Sequence, residues 1–261
     1  MASTRIFDQQ HYDLLNRSRG DVVSRLLAEV KQPLELRTAV DVGCGLGHFS
    51  GLLQSLGFEV TGVDGRKENV EEAQRRFPPV AFKHFDAQDA SLRSLGQFDL
   101  TFCFGLLYHL ENPLLTIRHL RAMTGKLLLV EGVIFPGEEP IMALVDEGAT
   151  EDQGLNHFAF YPTEACLIKM LYRAGFPHVY GFAAQPDHPE YRSTKNSRRI
   201  RTVLAASAGD LSSTLLKRVI EPSTEIVPWD PTSGVRKSRP LQRLRRLVRE
   251  TLPRQAKTGK A

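Results

Sequence analysis

The stretch that decides the fold reads Val40-Asp41-Val42-Gly43-Cys44-Gly45-Leu46-Gly47. It begins inside a short apolar run, residues 38–42, which is typical of a buried strand. Three glycines then alternate with other residues, so the backbone can turn sharply and a ligand can lie against it with no Cβ in the way. Apolar residues at helical spacing follow over residues 49–56. The sequence therefore predicts a strand, a ligand-binding turn and a helix in succession.

Strands and helices continue to alternate along the chain. The further predicted strands are residues 58–64, 80–85, 98–104, 127–134, 178–183 and 200–207, with helices at residues 66–77, 114–123, 162–174 and 211–220. This alternation is typical of parallel strands joined by right-handed crossovers. We therefore expect an α/β fold with an open sheet covered on both faces and a ligand crevice at the carboxyl ends of its strands.

Polar residues follow the next three strands at that same edge. Asp64 ends the second strand, Asp86-Ala87 follows the third, and Phe104-Gly105-Leu106-Leu107-Tyr108-His109 follows the fourth. The nicotinamide fingerprint G-x-G-x-x-G would need a third glycine where this chain has His48. The pattern present is D-x-G-x-G-x-G, which disfavours a nicotinamide-dependent oxidoreductase.

These four coordinated matches resemble the class I S-adenosylmethionine-dependent methyltransferases over about residues 37–208. The resemblance implies a Rossmann-like fold with a seven-stranded, mostly parallel sheet whose last strand is antiparallel. It implies S-adenosyl-L-methionine as the cofactor and Asp64 as the acceptor of hydrogen bonds from both ribose hydroxyls. It also implies that Asp86 and Ala87 hold the adenine ring and that Phe104 lies beside the methionine portion.

The remaining candidate cofactor-binding residues lie in the glycine-rich turn and on the first predicted helix. Gly43, Gly45 and Gly47 would form the turn against which the cofactor lies. Asp41 has two interpretations, a hydrogen-bond acceptor for the turn's backbone or a cofactor ligand. Tyr12, Arg17 and Arg19 can hold the cofactor's carboxylate through charge-assisted hydrogen bonds, although an exposed helix face explains them equally well.

The segment FGLLYHLENP (residues 104–113) is similar to the fourth motif of one branch of this family. That branch includes enzymes that modify the wobble uridine of transfer RNA, and many small-molecule and saccharide O-methyltransferases. The segment lacks the N-P-P-[YF] signature of enzymes that methylate planar nitrogens. We expect O-methylation of a hydroxyl on a small molecule, natural product or saccharide.

His109 is the candidate general base, with Tyr108 next in line. A hydroxyl is a poor nucleophile at neutral pH, and histidine is suited to proton transfer there. The alternative is that Tyr108 and His109 pack beneath a lid and fix the start of the next helix. Two further functions remain open, a tRNA-modifying methyltransferase and a non-catalytic cofactor-binding subunit that activates a partner.

The chain divides into three predicted parts: an N-terminal helical cap (residues 1–36), the cofactor-binding domain (residues 37–209) and a C-terminal extension (residues 210–261). The cap is predicted to contain a helix over residues 8–31 that is interrupted near Gly20. Within the domain, residues 135–161 form a long connection rich in proline and glycine, which we call the lid. Six acids and no Lys or Arg lie between Glu138 and Asp152. If the lid lines the acceptor site, this charge disfavours a polyanionic acceptor.

The basic charge of the protein is concentrated in its last residues. The whole chain has a net charge of +4, whereas residues 235–261 alone contain ten Lys or Arg and one acid, a net of +9. Leu241, Leu244, Val248 and Leu252 would form one stripe of a helix in this tail. Such a tail can contact an anionic surface, RNA phosphates or a partner protein, or extend without docking.

Composition excludes several classes of protein. With 261 residues, 41% of them hydrophobic and 25% charged, the chain is neither disordered overall nor a disulfide-rich miniprotein. Three scattered cysteines indicate a reducing compartment, and no stretch approaches the length of a membrane span. The first residues lack a signal-peptide core, so we expect a cytoplasmic protein. His157 and the lid acids have no recognisable metal-ligand spacing, so no metal is expected.

Overall fold

The computed structural model describes residues 6–148, 154–193 and 199–223. The strands in chain order are β1 (Thr38–Val42), β2 (Glu59–Asp64), β3 (Ala81–His84), β4 (Phe98–Phe104), β5 (Thr124–Val133), β6 (Met142–Asp146), β7 (Phe158–Pro162), β8 (His178–Phe182), β9 (Arg201–Ser207) and β10 (Leu216–Arg218). The α-helices are α1 (Gln10–Val30), α2 (His48–Ser55), α3 (Lys67–Arg76), α4 (Pro113–Met123) and α5 (Glu164–Arg173). Short 3₁₀ helices occupy Ile6–Asp8, Ala90–Leu95, Leu107–His109 and Pro189–Tyr191.

The main sheet has the strand order β10-β8-β9-β5-β4-β1-β2-β3. Strands β3, β2, β1, β4 and β5 are parallel to one another, and β9 runs antiparallel between β5 and β8. The predicted α/β class, with a mostly parallel sheet and an antiparallel final strand, is confirmed. The strand order reverses beside β1, which is where open α/β sheets form a ligand crevice.

Helices cover both faces of the sheet. On one face, α1 and α2 contribute fully buried side chains such as Leu26 and Leu53 to a core that also contains Leu100 of β4. On the other face, α4 and α5 contribute Ile117 and Leu171. The predicted cap is therefore part of the main core, since α1 packs on the sheet as the other helices do.

Helix α1 is continuous, whereas the sequence predicted an interruption near Gly20. Gly20 lies where α1 approaches α2 closely, and a Cβ there would stand 3.3 Å from Leu52 Cδ2. Packing against α2 thus explains the glycine, and the helix tolerates the modest cost of glycine within it.

The sheet has an eighth strand, β10, where a helix was predicted over residues 211–220. Leu216 and Arg218 pair antiparallel with β8. Just before β10, the backbone N–H of Thr214 and the hydroxyls of Ser213 and Thr214 donate to the carboxylate of Glu29 on α1. These partners favour an extended chain over a helix, because Ser and Thr are weak helix formers. The sheet therefore extends past the predicted domain end at residue 209, while the basic tail lies outside the described residues.

The lid contains a β-hairpin where an irregular connection was predicted. Strands β6 and β7 pair antiparallel, with Leu144 opposite Phe160, and form a separate two-stranded sheet. The prolines and glycines that suggested a loop flank these strands and do not interrupt them. Within the part of the chain that the structure describes, no helix is long and apolar enough to cross a membrane.

Candidate active site

A cavity of about 600 Å³ opens at the carboxyl ends of β1, β2 and β4. Residues from the glycine-rich turn, α1 and the lid complete its wall. The sequence predicted a crevice at this edge, and the structure brings most of the predicted site residues together there. The cavity is large enough for a ligand of drug or nucleotide size.

Two of the three predicted glycines line the cavity. Gly43 and Gly45 have φ angles of +79° and +52°, in the left-handed region that favours glycine. A Cβ on Gly43 would stand 2.9 Å from Leu106 Cβ, so the turn packs tightly against the loop after β4. Among the described residues, no atom outside Gly45 and its two chain neighbours lies within 4 Å of the position of a Cβ on Gly45. The backbone at Gly45 is therefore open to close approach by a ligand.

Gly47 does not line the cavity. Its φ is +84°, and a Cβ there would stand 2.9 Å from the rings of Phe77 and Phe82. Its place in the motif is explained by the packing of the turn against α3 and β3, so the structure assigns it no ligand contact.

Asp64 lies on the cavity wall and also organises the loops around it. Its carboxylate accepts hydrogen bonds from the backbone N–H of Gly45 at 2.9 Å, the backbone N–H of Arg66 at 2.8 Å and Asn69 Nδ2 at 3.1 Å. A carboxylate offers about four acceptor sites. The Asp64 carboxylate can therefore still accept a hydrogen bond from a ligand hydroxyl.

Asp41 lies beneath the glycine-rich turn and not on the cavity wall. Its side chain accepts a hydrogen bond from Ser50 Oγ of α2 at 2.7 Å, and the residue is only 2% exposed. Burial raises the pKa of Asp41 to about 7, and the nearby charge of Asp64 acts in the same direction. Of the two roles that the sequence left open, the structure shows a supporting one, although the partner is Ser50 and not the backbone of the turn.

The loop after β3 supplies another part of the wall. Asp86, Ala87 and Gln88 all line the cavity. The Asp86 carboxylate accepts the backbone N–H of Gln88 at 2.9 Å, and Gln88 Oε1 accepts the backbone N–H of Asn112 at 2.8 Å. These bonds hold the loop in a fixed shape beside the cavity.

Helix α1 presents Tyr12, Asn16 and Arg19 to the cavity, but not Arg17. Spacings of four and three residues put the first three on one helix face. The Arg17 side chain is 71% exposed and pairs with Asp13 at 2.8 Å. Arg17 is therefore placed outside the site, and Arg19 is the cation of α1 that lies within it.

Arg19 belongs to a buried ionic cluster centred on Glu131 of β5. Glu131 is fully buried, and its carboxylate lies 3.1 Å from Arg19 and 3.2 Å from Arg201. Tyr191 donates a hydrogen bond to it. Burial alone would raise the pKa of Glu131, but the two guanidinium groups outweigh it and hold the pKa below its usual range. Arg19 and Arg201 both line the cavity.

This cluster was not predicted from the sequence. Its one local signal is Glu131 itself, a single acid inside the apolar run of β5. A buried charge of this kind needs partners. Its partners come from α1, the 3₁₀ helix Pro189–Tyr191 and β9, which are distant in sequence.

Tyr108 and His109 follow β4 in the 3₁₀ helix Leu107–His109 and both line the cavity. Tyr108 is buried, which raises its pKa, and its ring lies 5.8 Å from the Arg201 guanidinium carbon. The phenol therefore stays protonated at neutral pH. Its place on the wall makes it a possible hydrogen-bonding group toward a ligand.

His109 is paired with a carboxylate from the lid. Nδ1 of His109 lies 2.8 Å and 2.9 Å from the two carboxylate oxygens of Glu147. The Glu147 side chain is 3% exposed and that of His109 is 11% exposed. Nε2 is thus the ring nitrogen that remains for a ligand. From the sequence, Glu147 was predicted only as one of six acids in the lid, because no neighbouring residue distinguishes it from the other five.

The described residues contain no group of three or more His, Cys, Asp or Glu side chains that could hold a metal ion.

Comparison with known proteins agrees with this geometry. Residues 40–126 match the family model described as a methyltransferase domain. A tRNA U34 carboxymethyltransferase from Tolumonas auensis is 30% identical over 156 residues, which cover 56% of this chain and 46% of that protein. One from Pseudoalteromonas translucida is 29% identical over 168 residues, covering 59% and 49%. This chain matches about half the length of these curated relatives.

Solved structures share the fold. The N-terminal domain of EvdMO1 with SAH bound has a TM-score of 0.58 at 20% identity, covering 77% of this chain and 82% of that one. Magnesium protoporphyrin IX methyltransferase from Synechocystis PCC 6803 with bound SAM has a TM-score of 0.53 at 20% identity, covering 80% and 86%. At these identities the likeness concerns the fold.

Proposed function

We propose that this chain is a class I S-adenosylmethionine-dependent methyltransferase and that it methylates a hydroxyl oxygen of a small molecule or saccharide. The match of residues 40–126 to the methyltransferase-domain model and the shared fold support this proposal. When bound, S-adenosylmethionine supplies an activated methyl group on a sulfonium sulfur. The residues of the cavity are left with three tasks: to hold the cofactor, to align the acceptor and to accept its proton.

The cavity wall fits the cofactor in its shape and polar groups. The open backbone at Gly45 accommodates a ligand at close range, and Asp64 retains capacity to accept a hydrogen bond from a ribose hydroxyl. Asp86 and Ala87 form the part of the wall assigned to the adenine. Of the two α1 arginines considered for the carboxylate of the methionine portion, Arg19 is the one on the cavity wall, and its guanidinium is already held by Glu131, Tyr191 and Asn16.

The observation that carries the proposed reaction is the placement of His109. Its imidazole lies on the wall of the cavity that contains the predicted cofactor ligands, with Nδ1 bound to Glu147. Nε2 therefore serves as the acceptor for the proton of a bound hydroxyl. General base catalysis of this kind contributes about 10²–10⁴-fold to a rate.

Alignment supplies the rest of the rate enhancement. Methyl transfer is an in-line displacement, which is fast only when the acceptor oxygen is held close to the methyl carbon. Tyr108, which stays protonated, offers a hydroxyl to orient the acceptor, and the lid helps to exclude water from the cavity.

The proposal is tested by incubating the protein with S-adenosylmethionine and separate panels of saccharides, phenols and unmodified tRNA. Formation of S-adenosylhomocysteine and of the methylated product is followed by mass spectrometry. We expect turnover with a hydroxyl-bearing small molecule, and at least a tenfold loss in His109→Gln with cofactor affinity unchanged by calorimetry. The matched control is His178→Gln, because His178 lies at the amino end of β8, away from the cavity. Full turnover by His109→Gln across pH 6–9 would exclude the base role.

A second candidate is modification of transfer RNA. The motif at residues 104–113 and the curated relatives named tRNA U34 carboxymethyltransferase favour it. The lid disfavours it, because Glu138, Glu139 and Asp146 are exposed there and would repel a polyanion. Retention on RNA that collapses steeply with added salt, together with product formed only in the tRNA panel, would favour this candidate.

The names of those relatives also suggest that the transferred group is carboxymethyl. Arg201 on the cavity wall favours carboxymethyl transfer, since its guanidinium can bind the carboxylate of a carboxymethyl group. Glu131 and Glu190 already pair with Arg201, which weakens the argument. Calorimetry with S-adenosylmethionine and with its S-carboxymethyl counterpart separates the two donors. Tighter binding of the counterpart would identify carboxymethyl transfer.

A further inference from the structure

The lid contacts the candidate base at two points. Glu147, which directly follows β6, places its carboxylate 2.8–2.9 Å from His109 Nδ1. Gly154 lies beside the same carboxylate, and its backbone N–H donates a hydrogen bond to Glu147 Oε2 at 3.0 Å. The Gly154 backbone thus holds the carboxylate that binds the His109 imidazole.

The contact at Gly154 leaves no room for a side chain. A Cβ there would stand 2.8 Å from the carbonyl oxygen of His109 and 3.1 Å from His109 Cβ. The first of these is a backbone atom, which cannot rotate away. Glycine at position 154 therefore allows the lid to lie directly against the 3₁₀ helix that carries His109.

The next residue of the lid, Leu155, lies at the side of the cavity assigned to the cofactor. Leu155 lines the cavity, and its Cδ1 lies 3.5 Å from the position of a Cβ on Gly65, the residue after Asp64. One short segment therefore spans from the candidate base to the rim beside the predicted ribose ligand.

We propose that Glu147 is a positioning residue for His109. Gly154 allows the lid to pack closely enough against His109 for the Glu147 carboxylate to reach the imidazole. The inference rests on the proposed function of His109 as the base. Glu147 accepts a hydrogen bond from Nδ1–H, which leaves Nε2 unprotonated and able to take the acceptor's proton. It also stabilises the positive charge that develops on the ring, as carboxylates do beside catalytic histidines on unrelated folds.

This arrangement makes base catalysis depend on the lid. With the lid lifted, His109 loses the partner that selects its tautomer and orientation. With the lid docked, the oriented base and a dry cavity arise together, so proton removal is coupled to the exclusion of water.

Two substitutions test the proposal by different routes. Glu147→Gln keeps the size of the side chain and removes its charge. Gly154→Ala removes no functional group but forces the lid away from His109. Their matched controls are Glu138→Gln, an exposed acid of the same lid, and Gly209→Ala, where no atom of the described residues other than its chain neighbours lies within 4 Å of a new Cβ.

We expect both test variants to lower kcat at least tenfold with a smaller change in KM, and to keep cofactor affinity within about twofold. Both controls should behave like the parent protein. Nitrogen NMR of the imidazole supplies a readout that needs no acceptor. His109 should be the Nδ1–H tautomer in the parent protein and a mixture of tautomers in Glu147→Gln and Gly154→Ala.

The outcomes separate this inference from the proposed function. An unchanged kcat and tautomer in Glu147→Gln, alongside an impaired His109→Gln, would overturn the positioning role alone. Full activity in His109→Gln would overturn the base role itself. If Glu147→Gln does not fold, as judged by circular dichroism, the result for Gly154→Ala decides. A parent-like tautomer and kcat in that variant would overturn the proposal.

Discussion

The carboxylate of Asp64 accepts the backbone N–H of Gly45 at 2.9 Å, which joins the end of β2 to the glycine-rich turn after β1. The residue predicted to bind the ribose thus also shapes the loop on which the cofactor would lie. Its replacement has two separable consequences, one for binding and one for the loop.

Asp64→Ala should weaken S-adenosylmethionine binding by about 1.5–3 kcal/mol, because a ribose hydroxyl loses a charged acceptor. It should also lower the free energy of unfolding, since three donors in the loops lose their partner. Calorimetry measures the first effect and chemical denaturation the second. The control is Asp89→Ala, which removes only the N-cap of the 3₁₀ helix Ala90–Leu95. Parent-like affinity in a folded Asp64→Ala variant would remove Asp64 from the site.

The buried Asp41 should make stability depend on pH. An aspartate in the unfolded chain releases its proton near pH 4, whereas the pKa of Asp41 in the folded protein is about 7. Between these values the unfolded state binds fewer protons, so the contribution of this group falls as pH rises from about 4 to 7 and is constant above. This shift of about three pKa units corresponds to a change of at most about 4 kcal/mol in the free energy of unfolding.

Replacement by asparagine isolates that contribution. Asp41→Asn keeps an oxygen that can accept the Ser50 hydrogen bond but does not titrate. The difference in unfolding free energy between parent and variant should therefore change with pH between 4 and 7 and level off above 7. Urea denaturation at pH 4.5, 6, 7 and 8 measures it. A difference that is the same at every pH would contradict the elevated pKa.

Glu131→Gln should be strongly destabilising. The substitution leaves Arg19 and Arg201 buried without the carboxylate between them, and breaking a buried ion pair in this way costs about 3–5 kcal/mol. The comparison is Glu71→Gln, whose partner Lys67 is largely exposed, and which should cost less than about 1 kcal/mol. Equal losses in the two variants, measured by denaturation, would show that the cluster does not stabilise the fold.

Truncation after Pro231 should leave the fold and the cofactor affinity intact. The described strands and helices and all the candidate site residues precede that position, with β10 ending at Arg218. Thermal unfolding and calorimetry check both properties, and binding to heparin or anionic vesicles checks whether the tail contacts anionic surfaces. A truncated protein that fails to fold would place the tail in the core.

Much of the fold follows from local patterns in the sequence. The strand-turn-helix unit around Gly43 and Gly45 and the alternation of later elements predict a parallel sheet with a crevice at its carboxyl edge. Each of these signals lies within a window of about ten residues and depends on backbone geometry and hydrophobic periodicity. The predictions that were wrong, at residues 211–220 and in the lid, concern segments whose conformation depends on distant partners. The hydroxyls of Ser213 and Thr214 bind Glu29, which lies about 185 residues earlier.

What the sequence determined by itself is therefore the framework and the edge at which a ligand binds. Only the tertiary structure decided which side chains meet there, because those pairings join segments that are far apart in the chain. It placed Arg19 and not Arg17 on the cavity wall, since the helix face that packs on the sheet selects between them. It also brought Glu147 to His109, 38 residues away. Glu147 differs from the other lid acids because the fold buries its carboxylate away from water and places the His109 imidazole beside it as a partner.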